Sequence, residues 1–378
     1  FIQKDIEKRM VLLSGPRQCG KTTLAKAMAR EYPASSYLNW DQTKDRKLIV
    51  SQAWDQDTEF LVLDEIHKKK LWKNFLKGIF DTKNSHLKIL VTGSARLEFF
   101  QKAGDSMFGR YNAWRMHPFC LHEDPLKLKA EDKLKRMLQN GSFPVPYLSD
   151  DENEVQRWRN QRWQLLLRED LRDLENIQDI QSMELLAEIL KNYAAGLVSY
   201  VNIAEDVEKS AKTIRKWVKI LEKLYLVYLL TPYSLSVKRS ISKTPKLYFI
   251  DTGDLAEQPE GVKMENLVAM NLLKRIHFIE DYHGEKISLH YVRDKDKREV
   301  DFLIAIGKKP VALIEVKNSV KETSASLIKF KNDLNVKHAI QIHADLNHKP
   351  YRANGVWHTS ITDFFAKPIE DKSFWEVS

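Results

Sequence analysis

Met10-Val-Leu-Leu-Ser14-Gly15-Pro16-Arg17-Gln18-Cys19-Gly20-Lys21-Thr22-Thr23 is the stretch on which the fold turns. Its first five residues form a short apolar run bounded by glycine, the pattern of a strand buried on both faces of a parallel sheet. Gly15 to Thr22 fits G-x-x-x-x-G-K-[ST], and Leu24, Ala25, Ala27, Met28 and Ala29 then follow a helical pattern. Strand, glycine loop and helix is the context in which that motif has a mechanism. Glycines let backbone N–H groups approach phosphate oxygens, and a helix N-terminus adds a dipole that favours negative charge. Gly15, Pro16, Arg17, Gln18, Cys19, Gly20, Lys21, Thr22 and Thr23 are therefore expected to cradle ATP. Lys21 would reach the β and γ phosphates, and Thr22 would ligate Mg²⁺.

Downstream residues supply the acids such a loop needs. Tyr37 to Trp40 reads as a second strand, and Glu59-Phe-Leu-Val-Leu63 runs apolar into Asp64-Glu65. An acid closing a buried strand suits Mg²⁺, so Asp64 is the expected metal carboxylate and Glu65 the base that polarises attacking water. The competing reading makes the acidic pair a cap for a helix starting near Ile66. Leu87 to Thr92 reads as a third strand ending at Gly93-Ser94-Ala95-Arg96. Ser94 is the candidate sensor of the γ-phosphate, with helix capping as its alternative role. Gly109-Arg110 precedes a strand-like run from Tyr111 to Met116. Arg110 is the candidate arginine finger, reaching a neighbouring subunit's nucleotide, with Arg96 and Arg115 as alternates. An ordinary salt-bridge arginine is the plainer reading.

Pro125 to Leu138 and Glu152 to Leu174 look helical around a break at Asn140-Gly-Ser-Phe-Pro-Val-Pro146, and together suggest a lid and connector. Met183 to Tyr193 is amphipathic, Asn202 to Val207 is short, and Ser210 is placed to cap a helix running to about Tyr225. Ile214, Trp217, Val218, Leu221 and Leu224 make one apolar stripe of that helix. Lys212, Arg215, Lys216, Lys219 and Lys223 fall on the other face. A short helix, a turn and a basic helix describe a helix-turn-helix. Val227–Leu230 and Lys246–Ile250 would form its wing, with Lys238, Arg239 and Lys243 between them for phosphates. Lys212, Arg215, Lys216, Lys219, Lys238 and Arg239 are the expected DNA contacts. The set holds no Asn or Gln, so it favours the backbone over base edges. A solvated basic face, or a winged helix used for protein contacts, is the alternative.

In the last third, a helix from about Val262 to Ile276 carries Glu265, and Arg298-Glu-Val-Asp301-Phe-Leu-Ile-Ala-Ile306 alternates like a strand. Gly307-Lys-Lys-Pro310 turns the chain, and Val311-Ala-Leu-Ile-Glu315-Val-Lys317 returns. A turn centred near Lys308 sets residue i opposite residue 616 − i, which brings Asp301 opposite Glu315. Glu315 and Lys317 share a face because the strand period is two. Two carboxylates and a lysine converge, with Glu265 as a third acid. The acids are expected to hold Mg²⁺ and Lys317 to orient water or steady phosphate charge. Solvent-facing charges on an amphipathic hairpin are the alternative.

Bulk properties narrow the class. A chain of 378 residues exceeds one ordinary core. With 43% hydrophobic and 30% charged residues it is globular, not disordered. No apolar run nears the roughly 18 residues that cross a bilayer. Phe1 is not Met, so the native start is expected upstream; no secretory pattern follows it. Two cysteines, Cys19 and Cys120, make neither a disulfide framework nor a four-ligand zinc site, which fits a reducing cytoplasm. A formal charge of +9 favours a polyanionic partner.

Taken in order, GPRQCGKTTLAKAM, FLVLDEIHK, VTGSAR, FGR, KTPKLYFIDTG, ENLVAMNLL, REVDFLI and LIEVK resemble the widespread archaeal and bacterial AAA-type ATPases. In that family an AAA+ domain precedes a C-terminal segment long of unknown function. The resemblance runs along essentially the whole chain. It implies an α/β AAA+ core with a P-loop parallel sheet and helices on both faces. After that come a winged helix, as in origin-recognition ATPases, and a restriction-endonuclease-like PD-(D/E)xK domain. Lys21, Thr22, Asp64 and Glu65 match the ATP motifs; Glu265, Asp301, Glu315 and Lys317 match the nuclease pattern. The sequence departs at Gly141-Ser-Phe-Pro-Val, where members often have a doubled glycine and a Glu after the proline. The expected division is 1–120 ATPase core, 121–180 lid and connector, 181–235 winged helix, and 236–378 nuclease-like domain. The expected protein is a homo-oligomer, a hexamer by AAA+ habit, using ATP and Mg²⁺ on DNA.

Overall fold

A computed structural model describes residues 1–93, 107–123, 125–170, 179–234, 244–319, 322–346 and 349–376, the side chains of 168–170 aside. Within it the chain forms two compact units, Phe1–Pro118 and Phe119–Ser378. Ser94, Arg96, Lys238, Arg239 and Lys243 lie outside the described residues. Among the described residues no helix is long and apolar enough to cross a membrane.

In the first unit, apolar runs become strands that are buried along their length. These are β1 (Met10–Ser14) and β3 (Phe60–Asp64), while β2 (Ser35–Asn39), β4 (Lys88–Thr92) and β5 (Tyr111–Arg115) are buried in part. The sheet has the order β2-β3-β4-β1-β5, and every pairing is parallel. Parallel neighbours need crossovers, and helices Lys21–Ala29, Thr43–Ser51 and Trp72–Thr82 lie between successive strands. Register aligns the strand ends: Asp64 pairs with Thr92 and with Asn39, and Leu13 with Thr92. The carboxyl ends of β1, β3 and β4 thus meet at one edge of the sheet, the edge at which open α/β sheets bind ligands. This is mixed α/β architecture with a five-stranded parallel sheet, consistent with a P-loop AAA fold.

The second unit holds two sheets. Strands β6 (Gly196–Leu197), β7 (Val227–Leu230) and β8 (Lys246–Phe249) form a small antiparallel sheet with β8 at its centre. A larger sheet has the order β13-β14-β12-β11-β10-β9, built from β9 (Ile287–Arg293), β10 (Glu299–Ile306), β11 (Lys309–Lys317), β12 (His338–His343), β13 (Tyr351–Ala353) and β14 (Val356–Ser360). β11, β12 and β14 are parallel and the other neighbours antiparallel.

Strand β8 is the shared wall. Leu247 and Phe249 point into the cluster of the helices Ile180–Leu190, Tyr200–Asp206 and Ala211–Lys223. Tyr248, on the opposite face by the period of two, belongs to the cluster around the helix Glu260–Phe278 and the larger sheet. Asn266 of that helix accepts from Phe249 N at 2.7 Å and donates to Phe249 O at 2.9 Å, satisfying backbone groups that the two-residue β6 does not reach.

Gly141 explains part of the break at 140–146. Its φ is 86°, and a Cβ there would stand 2.4 Å from Asp251 Oδ1. The next amide, Ser142 N, donates to that oxygen at 2.7 Å. One glycine suffices for this approach, so serine at the second position is accommodated. Beside it, Arg162 and Asp254 form an ion pair at 2.7 Å, with side chains 3% and 0% exposed.

Candidate functional site

The glycine loop adopts its shape for reasons visible in two residues. Gly20, which precedes the helix Lys21–Ala29, has φ 104°, a conformation costly for any residue with a Cβ. Gly15 lies so near the neighbouring strand's end that a Cβ would stand 2.2 Å from Met116 O. Lys21 is buried, and its ammonium donates to Gly15 O at 3.0 Å and Pro16 O at 2.7 Å. The loop thus carries a desolvated ammonium that donates to two neutral carbonyls and, at 3.9 Å, to Cys19 Sγ, next to the first turn of a helix.

Asp64 closes β3 opposite that loop. It is 3% exposed, and three hydroxyls converge on its carboxylate: Thr22 Oγ1 to Oδ2 at 3.1 Å, Tyr37 Oη to Oδ2, and Thr92 Oγ1 to Oδ1. Among the described residues no ammonium or guanidinium is bonded to it. A buried carboxylate without a cationic partner is costly, and a metal cation is the usual remedy. Burial, and then the hydrogen bond to Asp64, push the Tyr37 hydroxyl well above its ordinary range. Glu65 follows in a left-handed conformation, φ 57° and ψ 21°. Such backbone is uncommon outside glycine and clusters at functional sites. Its Oε2 is buried without a hydrogen bond, 3.5 Å from His67 Nε2 and 3.7 Å from Lys68 Nζ. Burial raises the carboxyl's pKa, with Lys68 opposing.

The donor set fits ATP and Mg²⁺: a glycine cradle with no room for a Cβ, a buried ammonium, and Thr22 and Asp64 in contact. Mg²⁺ would be held by Thr22 and Asp64, and bound there would neutralise phosphate charge as hydrolysis proceeds. Glu65 follows Asp64 at the same strand end, with one carboxylate oxygen buried and without a hydrogen bond. Tyr37 and Thr92 were not among the residues read from sequence. Each sits on a strand beside β3, and register is the only signal that pairs them with Asp64. Arg110 is ion-paired with Asp81 at 2.7 Å within the same unit.

The apolar and basic faces read on the helix Ala211–Lys223 are separated in the structure. Ser210 caps the helix Ala211–Lys223, its side chain accepting from Thr213 N, and the apolar stripe is buried. Lys212, Arg215, Lys216, Lys219 and Lys223 are all exposed. Arg215 also stacks 5.0 Å from the Tyr200 ring of the preceding helix.

The acids of the last third also meet, in company that spacing did not foresee. Phe302 pairs with Ile314 and Leu303 with Leu313, the 616 − i register, which slips by one at Ala305–Pro310 next to the turn. Asp301 Oδ2 accepts from Val316 N at 2.9 Å, and Lys317 Nζ donates to Glu315 Oε1 at 2.6 Å. The addition is Lys246, from β8. Its Nζ lies 2.9 Å from Glu265 Oε1, 2.8 Å from Glu299 Oε1 and 3.2 Å from Asp301 Oδ1. Tyr248 Oη donates to Glu265 Oε1 at 2.8 Å.

Burial alone would lower the Lys246 pKa. Tyr248 and the carboxylates of Asp301, Glu265 and Glu299 outweigh it, so the ammonium stays charged well above its ordinary range. Acids outnumber cations here. Burial and then the Asp301 charge push Glu265 up to about 8 and Glu315 up to about 7, so the cluster retains a proton near neutrality. Glu265, Asp301 and Glu315 are the acids that the sequence reading assigned to Mg²⁺. Among the described residues no three His, Cys, Asp or Glu side chains are arranged to hold a metal ion. A lysine ammonium already bridges two of the three acids.

Comparison with known proteins agrees with the first unit's architecture. Residues 7–124 match an AAA domain family, residues 131–258 a domain of unknown function, DUF8612, and residues 260–364 another, DUF4143. An uncharacterized protein of Methanocaldococcus jannaschii is 26% identical over 362 residues, covering 85% of this chain and 79% of its own. An uncharacterized protein of Mycobacterium tuberculosis is 22% identical over 330 residues, covering 84% and 72%. Among solved structures, RuvB of Thermotoga maritima aligns with TM-score 0.30 and 17% identity over 58% of this chain and 81% of its own. A Drosophila ORC structure bound to AT-rich DNA and Cdc6 aligns with TM-score 0.23 and 11% identity, covering 67% and 86%. Likenesses that slight carry no functional argument.

Proposed function

We propose that the chain is a Mg²⁺-dependent ATPase that works on DNA, coupling hydrolysis in the first unit to remodelling of, or movement along, DNA held by the second. The observation that carries the ATPase reading is the buried Asp64 carboxylate meeting Thr22 at the mouth of a glycine loop that encloses Lys21. Gly15 to Thr23 take the triphosphate, Thr22 and Asp64 the metal ion, and Glu65 the proton of the attacking water. Arg110 serves as a finger for a neighbouring copy's nucleotide in a homo-oligomer, a ring of about six by AAA+ habit. Its present partner, Asp81, has a side chain 41% exposed, and exposed pairs exchange at little cost.

DNA is the partner that the exposed basic face of the helix Ala211–Lys223 suits. The Ser210 cap and the short preceding helix support reading this as a helix-turn-helix, with β7 and β8 as its wing. Lys212, Arg215, Lys216 and Lys219 contact the phosphate backbone, joined by Lys238 and Arg239. The restriction-endonuclease-like reading of 236–378 supplies a backbone-gripping fold. Lys246 favours the variant of this reading in which that domain does not cut.

The test is ATP turnover with and without duplex DNA at low and moderate salt. Turnover should rise with DNA, and the rise should fade with salt, because each neutralised phosphate contributes a slope of about −0.9 in log affinity against log salt. Lys216→Glu with Lys219→Glu should remove the stimulation and leave basal turnover. DNA-independent turnover would sink the DNA reading and favour a signalling ATPase whose second unit binds proteins.

A further inference from the structure

The acid cluster around Asp301 contains its own cation. We propose that Lys246 is the resident counter-ion of this cluster, and that while it is in place Glu265, Asp301 and Glu315 do not take up a divalent metal ion.

The geometry of the ammonium is the first argument. An ammonium has three N–H donors and no acceptor. The three donors of Lys246 have three carboxylate partners, one oxygen each from Glu265, Glu299 and Asp301, at 2.8 to 3.2 Å. The lysine side chain is 4% exposed, so these bonds are made away from solvent. A divalent ion binds oxygens at about 2.0–2.6 Å and needs six or more ligands in all. To use the oxygens of Glu265 and Asp301 that the ammonium now holds, it would have to displace Nζ.

The remaining oxygens are the second argument. Asp301 Oδ2 takes Val316 N–H, Glu315 Oε1 takes Lys317, and Glu265 Oε1 takes Tyr248 in addition to Lys246. Glu315 Oε2 is buried with no hydrogen bond. The Lys317 ammonium, bonded to Oε1 of the same carboxylate, repels a metal ion by like charge.

The third argument is that the lysine is mounted rigidly. Leu247 and Phe249 lock one face of β8 into the helical cluster, and Asn266 holds the Phe249 backbone from the other edge. Lys246 and Tyr248 therefore face the acids by the pleat of a strand fixed on both sides. Arg293 adds a further cation by pairing with Glu299 at 2.7 Å.

The experiment is Mn²⁺ binding to the full chain without nucleotide, followed by electron paramagnetic resonance. The wild type is compared with Lys246→Met and with Lys246→Met/Glu315→Gln. The nucleotide site is common to all three, so its contribution cancels in the differences. Lys246→Met is expected to gain one Mn²⁺ bound roughly tenfold or more tighter, because a neighbouring positive charge is gone. The double variant is expected to lose it. A Lys246→Met protein that folds and gains no site overturns the proposal. If Lys246→Met does not fold, wild type against Asp301→Asn decides. Equal, weak binding in both supports the resident cation. A tight wild-type site abolished in Asp301→Asn overturns it. Neither outcome depends on ATP hydrolysis or DNA binding, so this proposal and the proposed function fail separately.

Discussion

Replacing Arg162 by methionine isolates the energetics of a deeply buried ion pair of the second unit. Arg162 Nη1 lies 2.7 Å from Asp254 Oδ2, and Trp163 Nε1 donates to Asp254 Oδ1 at 2.7 Å. The guanidinium also lies 4.4 Å from the Phe143 ring centroid, so methionine retains much of the apolar contact. What it removes is, among the described residues, the only cation bonded to a carboxylate that has 0% side-chain exposure. Such a carboxylate, left with one indole donor, is an uncompensated buried charge, and breaking a buried pair from one side costs about 3–5 kcal/mol. Adding Asp254→Asn keeps an acceptor for Trp163 and removes the charge, so the loss should shrink to about 1–2 kcal/mol. Urea unfolding followed by tryptophan fluorescence measures both, since Trp163 reports on the site itself. A loss under about 1 kcal/mol in Arg162→Met, or a double variant as unstable as the single, would refute the reasoning.

Three further outcomes follow from individual residues. Asp251 is fully buried, its Oδ2 without a hydrogen bond, and burial followed by the Asp254 charge raises its carboxyl from 3.8 to about 6. A raised acid gives stability that is present below the unfolded value and lost as pH climbs through the folded one, here about 3 kcal/mol between roughly pH 4 and 6. Asp251→Asn should flatten that slope in urea unfolding; an unchanged slope would remove Asp251 as its source. Gly15→Ala places a Cβ 2.2 Å from Met116 O, so nucleotide binding should drop severely while the second unit's unfolding is untouched. Because burial holds Glu65 above the ordinary carboxylate range, ATP turnover should fall on acidification earlier than a solvent-exposed carboxylate would give. In Glu65→Gln that acid limb should vanish along with most turnover.

The candidate nucleotide site could be read from sequence because its parts are local. Gly15 to Thr22 lie within one loop, and the apolar runs of β1 and β3 end at the residues that matter. The hairpin was legible too: the 616 − i rule holds from Phe302 to Ile304, and only a bulge near the turn shifts the pairs beyond it. What sequence could not show is chemistry assembled across distance. Tyr37 and Thr92 reach Asp64 only through sheet order. Lys246 lies 55 residues before Asp301, at the start of an otherwise apolar strand. From sequence alone, a lysine there reads as a strand end turned to solvent. Its burial depends on the helical cluster covering the other face of β8, which no pattern within residues 246–250 reveals. Arg162 and Asp254 are 92 residues apart, and each looks like an ordinary surface charge until the helix Glu152–Gln164 packs beside 251–254.

Equilibrium binding of a fluorescent ATP analogue, with and without Mg²⁺, to wild type, Lys21→Ala and Asp64→Asn tests the central claim most directly. Wild type should bind, Lys21→Ala should lose binding, and Asp64→Asn should lose the Mg²⁺ dependence. Binding in Lys21→Ala equal to wild type, or no binding by the wild type at all, would contradict the account.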